Sequence, residues 1–181
     1  MSRIGRLPIT VPAGVTVTVS PENVVAVKGP KGELRQEVNK KITVKVDAGV
    51  VHCTRSDDEK QTKAMHGLYR KLIANMVEGV TNGYSKGLVI NGVGYKVAKQ
   101  GNKVVLNVGY SHPVEVEEPA GITFECPSAT EITVRCIDRC KGGQLAANIS
   151  SIRVPVPYHA YGIRNSDEVI ARKEGKKAGK K

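Results

Sequence analysis

Tyr158, His159, Tyr161 and Arg164 fall within one seven-residue stretch, Tyr158-His159-Ala160-Tyr161-Gly162-Ile163-Arg164. Rings stack on flat bases, a guanidinium pairs with phosphate oxygens, and a glycine lets another backbone come close, so this set suits a polyanion. Pro155 and Pro157, just ahead, fix φ and remove backbone donors, which predicts an extended run outside any helix or central strand. Behind it, Asp167 and Glu168 followed by Arg172 and Lys173 have the charge order a helix dipole favours, which predicts a short helix. The chain closes Glu174-Gly175-Lys176-Lys177-Ala178-Gly179-Lys180-Lys181, which has nothing to build a core and is expected to stay disordered alone.

The other reactive residue types make weaker cases. Cys53, Cys126 and Cys136 lie in or beside apolar, strand-like runs, where cysteine acts as a small hydrophobe. Cys136 and Cys140 are separated by three residues, but no second close pair completes a zinc site. His52, His66, His112 and His159 sit in different elements, and no nucleophile motif accompanies them. Gly92-Val93-Gly94 lacks the third glycine of a dinucleotide loop, because that position is Val97. It is better read as a strand bend approached by another backbone, from protein or RNA, with Tyr95 and Lys96 beside it. No catalytic residues, metal or cofactor are expected.

Behind these residues stands a regular scaffold. Alternating or β-branched runs predict strands at Val15–Val19, Asn23–Gly29, Leu34–Val38, Ile42–Val46 and Val50–Thr54. Ser56-Asp57-Asp58-Glu59 has capping-box spacing, and Met65, Leu68, Leu72 and Met76 would form the core face of a helix ending near Gly79. Lys60, Lys63, Arg70 and Lys71 then lie on its other faces, where solvation is the simplest reading.

The pattern then repeats. Leu88–Val97, Lys103–Gly109, Val114–Glu117, Ile122–Phe124 and Ile132–Cys136 read as strands. Asp138 opens a second helix, with Leu145, Ile149 and Ile152 on one face. Val24 with Val104, and Ile42 with Ile122, give an offset of 80. The expected fold class is α+β: two tandemly duplicated domains, each an antiparallel sheet packed against one helix, plus a basic C-terminal tail. The expected boundaries are an N-terminal domain 1–82, a C-terminal domain 83–154 and a tail 155–181. Ending the chain after Val154 is expected to leave both domains folded.

The chain has 28 Lys+Arg against 17 Asp+Glu, a net charge of +11, which favours a nucleic-acid or anionic-surface partner over a small-molecule substrate. Residues 81–150 hold 7 Lys+Arg and 6 Asp+Glu, whereas residues 151–181 hold 8 and 3. Contact by the second domain should therefore come from the tail and particular loops. No apolar run is long enough to span a bilayer and the first residues lack a signal peptide's apolar core, so a cytosolic location is expected.

Several motifs together resemble one family. Ser2-Arg3-Ile4-Gly5-Arg6-Leu7-Pro8-Ile9, Val27-Lys28-Gly29-Pro30-Lys31-Gly32, Asn75-Met76-Val77-Glu78-Gly79-Val80 and Gly92-Val93-Gly94-Tyr95-Lys96 are similar to the bacterial type of large-subunit ribosomal protein six. So is the tail, with Pro-x-Pro-Tyr, then Gly-Ile-Arg, an acidic pair and a Lys-rich end. His159-Ala160-Tyr161 stands where that family usually has Lys-Gly-Lys, so phosphate contacts made by those lysines do not carry over. In their place Tyr161 offers a stacking face and His159 a donor.

The resemblance implies a duplicated fold and binding to large-subunit rRNA near the sarcin–ricin loop and stalk base, where translation factors dock. It also implies neighbouring large-subunit ribosomal proteins, RNA contact chiefly through the second domain and tail, and no catalytic activity. Residues and resemblance together nominate as rRNA contacts Lys86, Tyr95, Lys96, Lys141, Pro157, Tyr158, His159, Tyr161, Gly162, Arg164, Arg172, Lys173, Lys176 and Lys177. The competing reading is a protein–protein scaffold with an incidental basic tail. Membranes and small-molecule substrates are not expected.

Overall fold

The computed structural model describes residues 3–47 and 49–176. Lys177 and the lysines beyond it lie outside the described residues. The chain divides into two compact units, residues 1–84 with 137–139, and residues 85–136 with 140–181.

The first unit starts with α1 (Arg3–Arg6) and the short β1 (Ile9–Thr10). Then come β2 (Thr16–Val19), β3 (Val24–Gly29), β4 (Gly32–Glu37), β5 (Ile42–Asp47) and β6 (Val50–Arg55). A long helix, α2 (Lys60–Thr81), follows. The strands form two three-stranded sheets rather than one, ordered β2-β3-β4 and β1-β6-β5. Alternation sets the inward faces: Val25, Val27, Ile42 and Val51 are fully buried, with Ile73 and Val80 of α2 against them. The β3–β4 hairpin turns where Gly29 pairs with Gly32, whose φ of +145° suits glycine alone.

Helix α2 departs from the sequence pattern. Its buried face is Thr62, His66, Ile73, Met76, Val77 and Val80, while Leu68 is 55% exposed. The helix opens at Lys60 behind Glu59, which makes no side-chain cap bond, so Ser56–Glu59 is not a working capping box. Asp57 instead accepts the Glu59 amide at 3.1 Å, while Asp58 pairs with Arg55 at 2.6 Å. Neither acid lies in the first helical turn, although Asp58 also reaches Lys63 of that turn at 3.9 Å.

The second unit holds β7 (Tyr84–Asn91), β8 (Lys96–Gln100), β9 (Lys103–Asn107), β10 (Val114–Glu117), β11 (Ile122–Ser128) and β12 (Glu131–Cys136). After them come α3 (Arg139–Ile152) and a last strand, β13 (Gly162–Asn165). Its sheets are ordered β10-β9-β8 and β11-β12-β7-β13. Phe124, Leu106, Ile132 and Ile149 fill the core between them. The predicted strand Leu88–Val97 is two strands, because Gly92–Tyr95 makes a tight turn closed by the Tyr95 amide on the Gly92 carbonyl at 3.3 Å.

The terminal segment is the largest revision. Gly162–Asn165 pairs antiparallel with β7, Ile163 opposite Ile90, and forms the edge of the sheet. Ile163 is 1% exposed and belongs to the core of the second unit. Burying such a side chain contributes about 2–3 kcal/mol, so a cut after Val154 would remove part of the fold as well as the tail. The predicted helix over 167–173 is absent: the chain turns at Ser166-Asp167 and has no regular structure over 168–176.

Candidate nucleic-acid interface

Between α3 and β13 the chain makes a closed loop. Val156 N–H donates to the Tyr161 carbonyl at 3.1 Å, Ala160 N–H to Val156 at 2.8 Å, and Ile163 N–H to Arg153 at 2.7 Å. Ala160 is buried with φ +56°, a left-handed conformation in which alanine is strained. Glycine would take this conformation without that strain. Gly162 is held at φ +152°, and an added Cβ would lie 2.6 Å from the Pro155 nitrogen and 2.7 Å from the Arg153 carbonyl oxygen. Gly162 is therefore a packing requirement of this loop.

Closure puts Pro157, Tyr158, His159 and Tyr161 on the surface, with Tyr158 56% and Tyr161 36% exposed. The His159 and Tyr161 rings stack with centroids 5.3 Å apart and planes 23° from parallel. The basic segment passes close by, because the Lys173 amide donates to the Pro157 carbonyl at 3.0 Å. Arg172, Lys173 and Lys176 are exposed, and among the described residues none of the three is in an ion pair. Lys177 falls outside the described residues.

Other nominated residues are occupied within the protein. The Arg164 guanidinium donates to the carbonyls of Asn165, Ser166 and Glu168, at 2.7 Å for the last, and so holds the turn after β13. Lys86 pairs with Asp167 at 3.3 Å, and the Asp167 carboxyl is held below the usual carboxylate range by a backbone hydrogen bond and then by Lys86. Tyr95 lies against two glycines: a Cβ on Gly92 would be 2.5 Å from its ring, and one on Gly109 3.0 Å from its hydroxyl. The close neighbour implied by Gly92-Val93-Gly94 is thus this chain's own tyrosine. Lys96 is exposed at the start of β8, and Lys141 is exposed in the first turn of α3.

A second aromatic and cationic group escaped the sequence reading. The Arg153 guanidinium lies 5.4 Å from the Tyr110 ring centroid, and the Tyr110 hydroxyl donates to the Ile152 carbonyl at 2.6 Å. The Tyr95 hydroxyl, followed by that of Tyr110, pushes the Arg153 pKa above its ordinary value. His112 stacks loosely on Tyr110 at 6.5 Å. The signal was the turn Gly109-Tyr110-Ser111-His112-Pro113, which places two rings in a loop; its link to Arg153 is purely tertiary.

The groups that could suggest catalysis are structural. His66 is 3% exposed and bonds the Cys53 carbonyl at 2.9 Å. Burial raises the Cys53 and Cys126 thiols above their usual value, which favours the protonated form over the thiolate. In the first unit Lys41 pairs with Glu59 at 2.8 Å and with Asp57 at 3.4 Å. Arg70, read as part of a solvated face, donates to the carbonyls of Leu7 and Pro8 at 3.0 Å each. Lys41 and Arg70 are thus engaged within that unit's own fold.

An α+β unit built twice, with exposed tail cations beside a hydrogen-bonded aromatic loop, has the make-up of a polyanion-binding protein. The family model of ribosomal protein L6 matches residues 11–83 and again 91–166. The large ribosomal subunit protein uL6 of Clostridium botulinum (strain Eklund 17B / Type B) is 56% identical over 181 residues, covering all of both chains. That of Clostridium perfringens (strain SM101 / Type A) is 56% identical over 176 residues, covering 97% of this chain and 98% of its own. That of Caldicellulosiruptor bescii is 55% identical over 183 residues, covering both chains in full. The chain belongs to the ribosomal protein L6 family. It is a structural, non-enzymatic component of the large subunit of the cytoplasmic ribosome.

Proposed function

We propose that the second unit and the segment 155–181 bind large-subunit rRNA near the sarcin–ricin loop and stalk base, and so support the region where translation factors dock. The observation that carries this reading is the pairing of the Pro157–Tyr161 loop with Arg172 and Lys173, joined by the bond from Lys173 to Pro157. Exposed cations neutralise phosphates and release counterions, while the ring-bearing loop fits folded RNA by shape. Lys96, Lys141, Lys176 and Lys177 extend the cationic set. Gly162 and Arg164 act from within, the one in the loop and the other in the turn after β13, while Tyr95 packs against Gly92 and Gly109. Crosslinking this chain to rRNA in the assembled subunit tests the location. Crosslinks from the Pro157–Lys176 segment to the sarcin–ricin region are expected; crosslinks confined to another rRNA domain would reject it.

A further inference from the structure

The loop Val154–Tyr161 contains no lysine or arginine, yet it is exposed and closed by backbone hydrogen bonds. Its recognition chemistry is therefore ring surface. His159 and Tyr161 are already stacked at 5.3 Å, and the buried Ala160 between them holds both rings out on one tight bend. Three backbone hydrogen bonds fix this bend before any ligand arrives, which lowers the ordering cost of binding. Both residues are exposed, Tyr161 at 36%, so ring surface outside the stack is accessible to a further flat group. A paired base in an A-form helix has no free face to offer, so the complementary group is an unpaired base.

From this geometry we infer that the His159–Tyr161 stack is a docking platform for one unpaired base of the bound RNA, gripping by stacking where a cationic loop would grip phosphate. The inference rests on the rRNA-binding reading and names the chemical class taken at this loop. Stacking is nearly independent of salt, whereas phosphate contact is not. The two contributions therefore separate in a salt series.

The test uses the full chain, a large-subunit rRNA fragment with 2-aminopurine at its unpaired positions, and a fully paired RNA of equal length. Tyr161→Ala is expected to weaken binding to the loop-bearing fragment by about five- to hundredfold at every salt concentration, with an unchanged salt slope. Tyr161→Phe keeps the affinity, and binding of the paired RNA is the same for all three proteins. Wild-type chain quenches 2-aminopurine at one position, and Tyr161→Ala does not. Full affinity in Tyr161→Ala, with normal salt dependence, would overturn the platform and leave rRNA binding standing. A loss accompanied by a shallower slope, or an equal loss on paired RNA, would also overturn it, because the loop would then be acting on phosphates. Failure of the wild-type chain to bind either RNA would overturn the platform together with the reading beneath it.

Discussion

Ile163 lies opposite Ile90 across the β13–β7 pair, and both side chains are buried, at 1% and 2% exposure. The contact makes the segment after α3 a structural part of the second unit and only afterwards a tail. Ile163→Ala is expected to destabilise that unit by about 2–5 kcal/mol, the usual cost of emptying a buried aliphatic site. A chain ending at Val154 should lose more, since a whole strand goes with it. A chain ending at Ala171 should unfold in urea at the midpoint of the full protein. Equal midpoints for all three would show that β13 contributes nothing to stability.

The two residues flanking Tyr161 should respond in opposite directions. Gly162→Ala drives a methyl into the backbone of Arg153 and Pro155, and is expected to cost about 2–3 kcal/mol. Ala160→Gly relieves a left-handed alanine worth about 1–2 kcal/mol, less about 0.4–1 kcal/mol for the freer unfolded chain. A net gain of about 0.5–1 kcal/mol is expected by denaturant titration. A stabilised Gly162→Ala or a clearly destabilised Ala160→Gly would contradict the loop geometry.

Glu118 supplies an acid-sensitive tie. Its carboxylate accepts from Lys99 Nζ and from the Phe124 amide, each at 2.7 Å, and these bonds, Lys99 first, lower its pKa. A carboxylate with a depressed folded pKa stabilises above its unfolded value, near 4.3 for glutamate, and loses that contribution as pH falls through the folded value. Stability measured from pH 7 to pH 3 should therefore fall more steeply in the wild type than in Glu118→Gln. Parallel curves would remove Glu118 from the acid response.

The strands were legible because alternation of valine and isoleucine with polar residues is a local signal, and every predicted strand up to Cys136 overlaps an observed one, with Leu88–Val97 divided between two. The repeat was legible too, but not its register. Val25 and Val27 are the buried positions of β3, and Val104 and Leu106 those of β9, an offset of 79. Ile42 and Ile122 keep the offset of 80, and Val51 matches Ile132 at 81. A one-residue slip reverses the face of a strand, and runs such as Val24-Val25 and Val104-Val105 do not reveal which neighbour points inward. In α2 residue type misled for another reason: Met65 and Met76 pack in the core as expected, but polar Thr62 and His66 are buried while apolar Leu68 is exposed. In the candidate interface, the exposed rings and cations were readable from residue type. The internal duties of Arg164, Lys86 and Tyr95 were not, because each depends on a carbonyl, carboxylate or glycine brought in by tertiary folding.

The grip of the terminal cations on RNA is tested most directly by salt dependence, comparing the full chain with the chain ending at Ala171 on one large-subunit rRNA fragment. Residues 172–181 hold six Lys+Arg and one Glu. Each phosphate neutralised contributes about −0.7 to −0.9 to the slope of log affinity against log salt, so the shortened chain should bind more weakly with a slope shallower by up to about 4–5. Equal affinity and equal slope for the two chains would contradict the account.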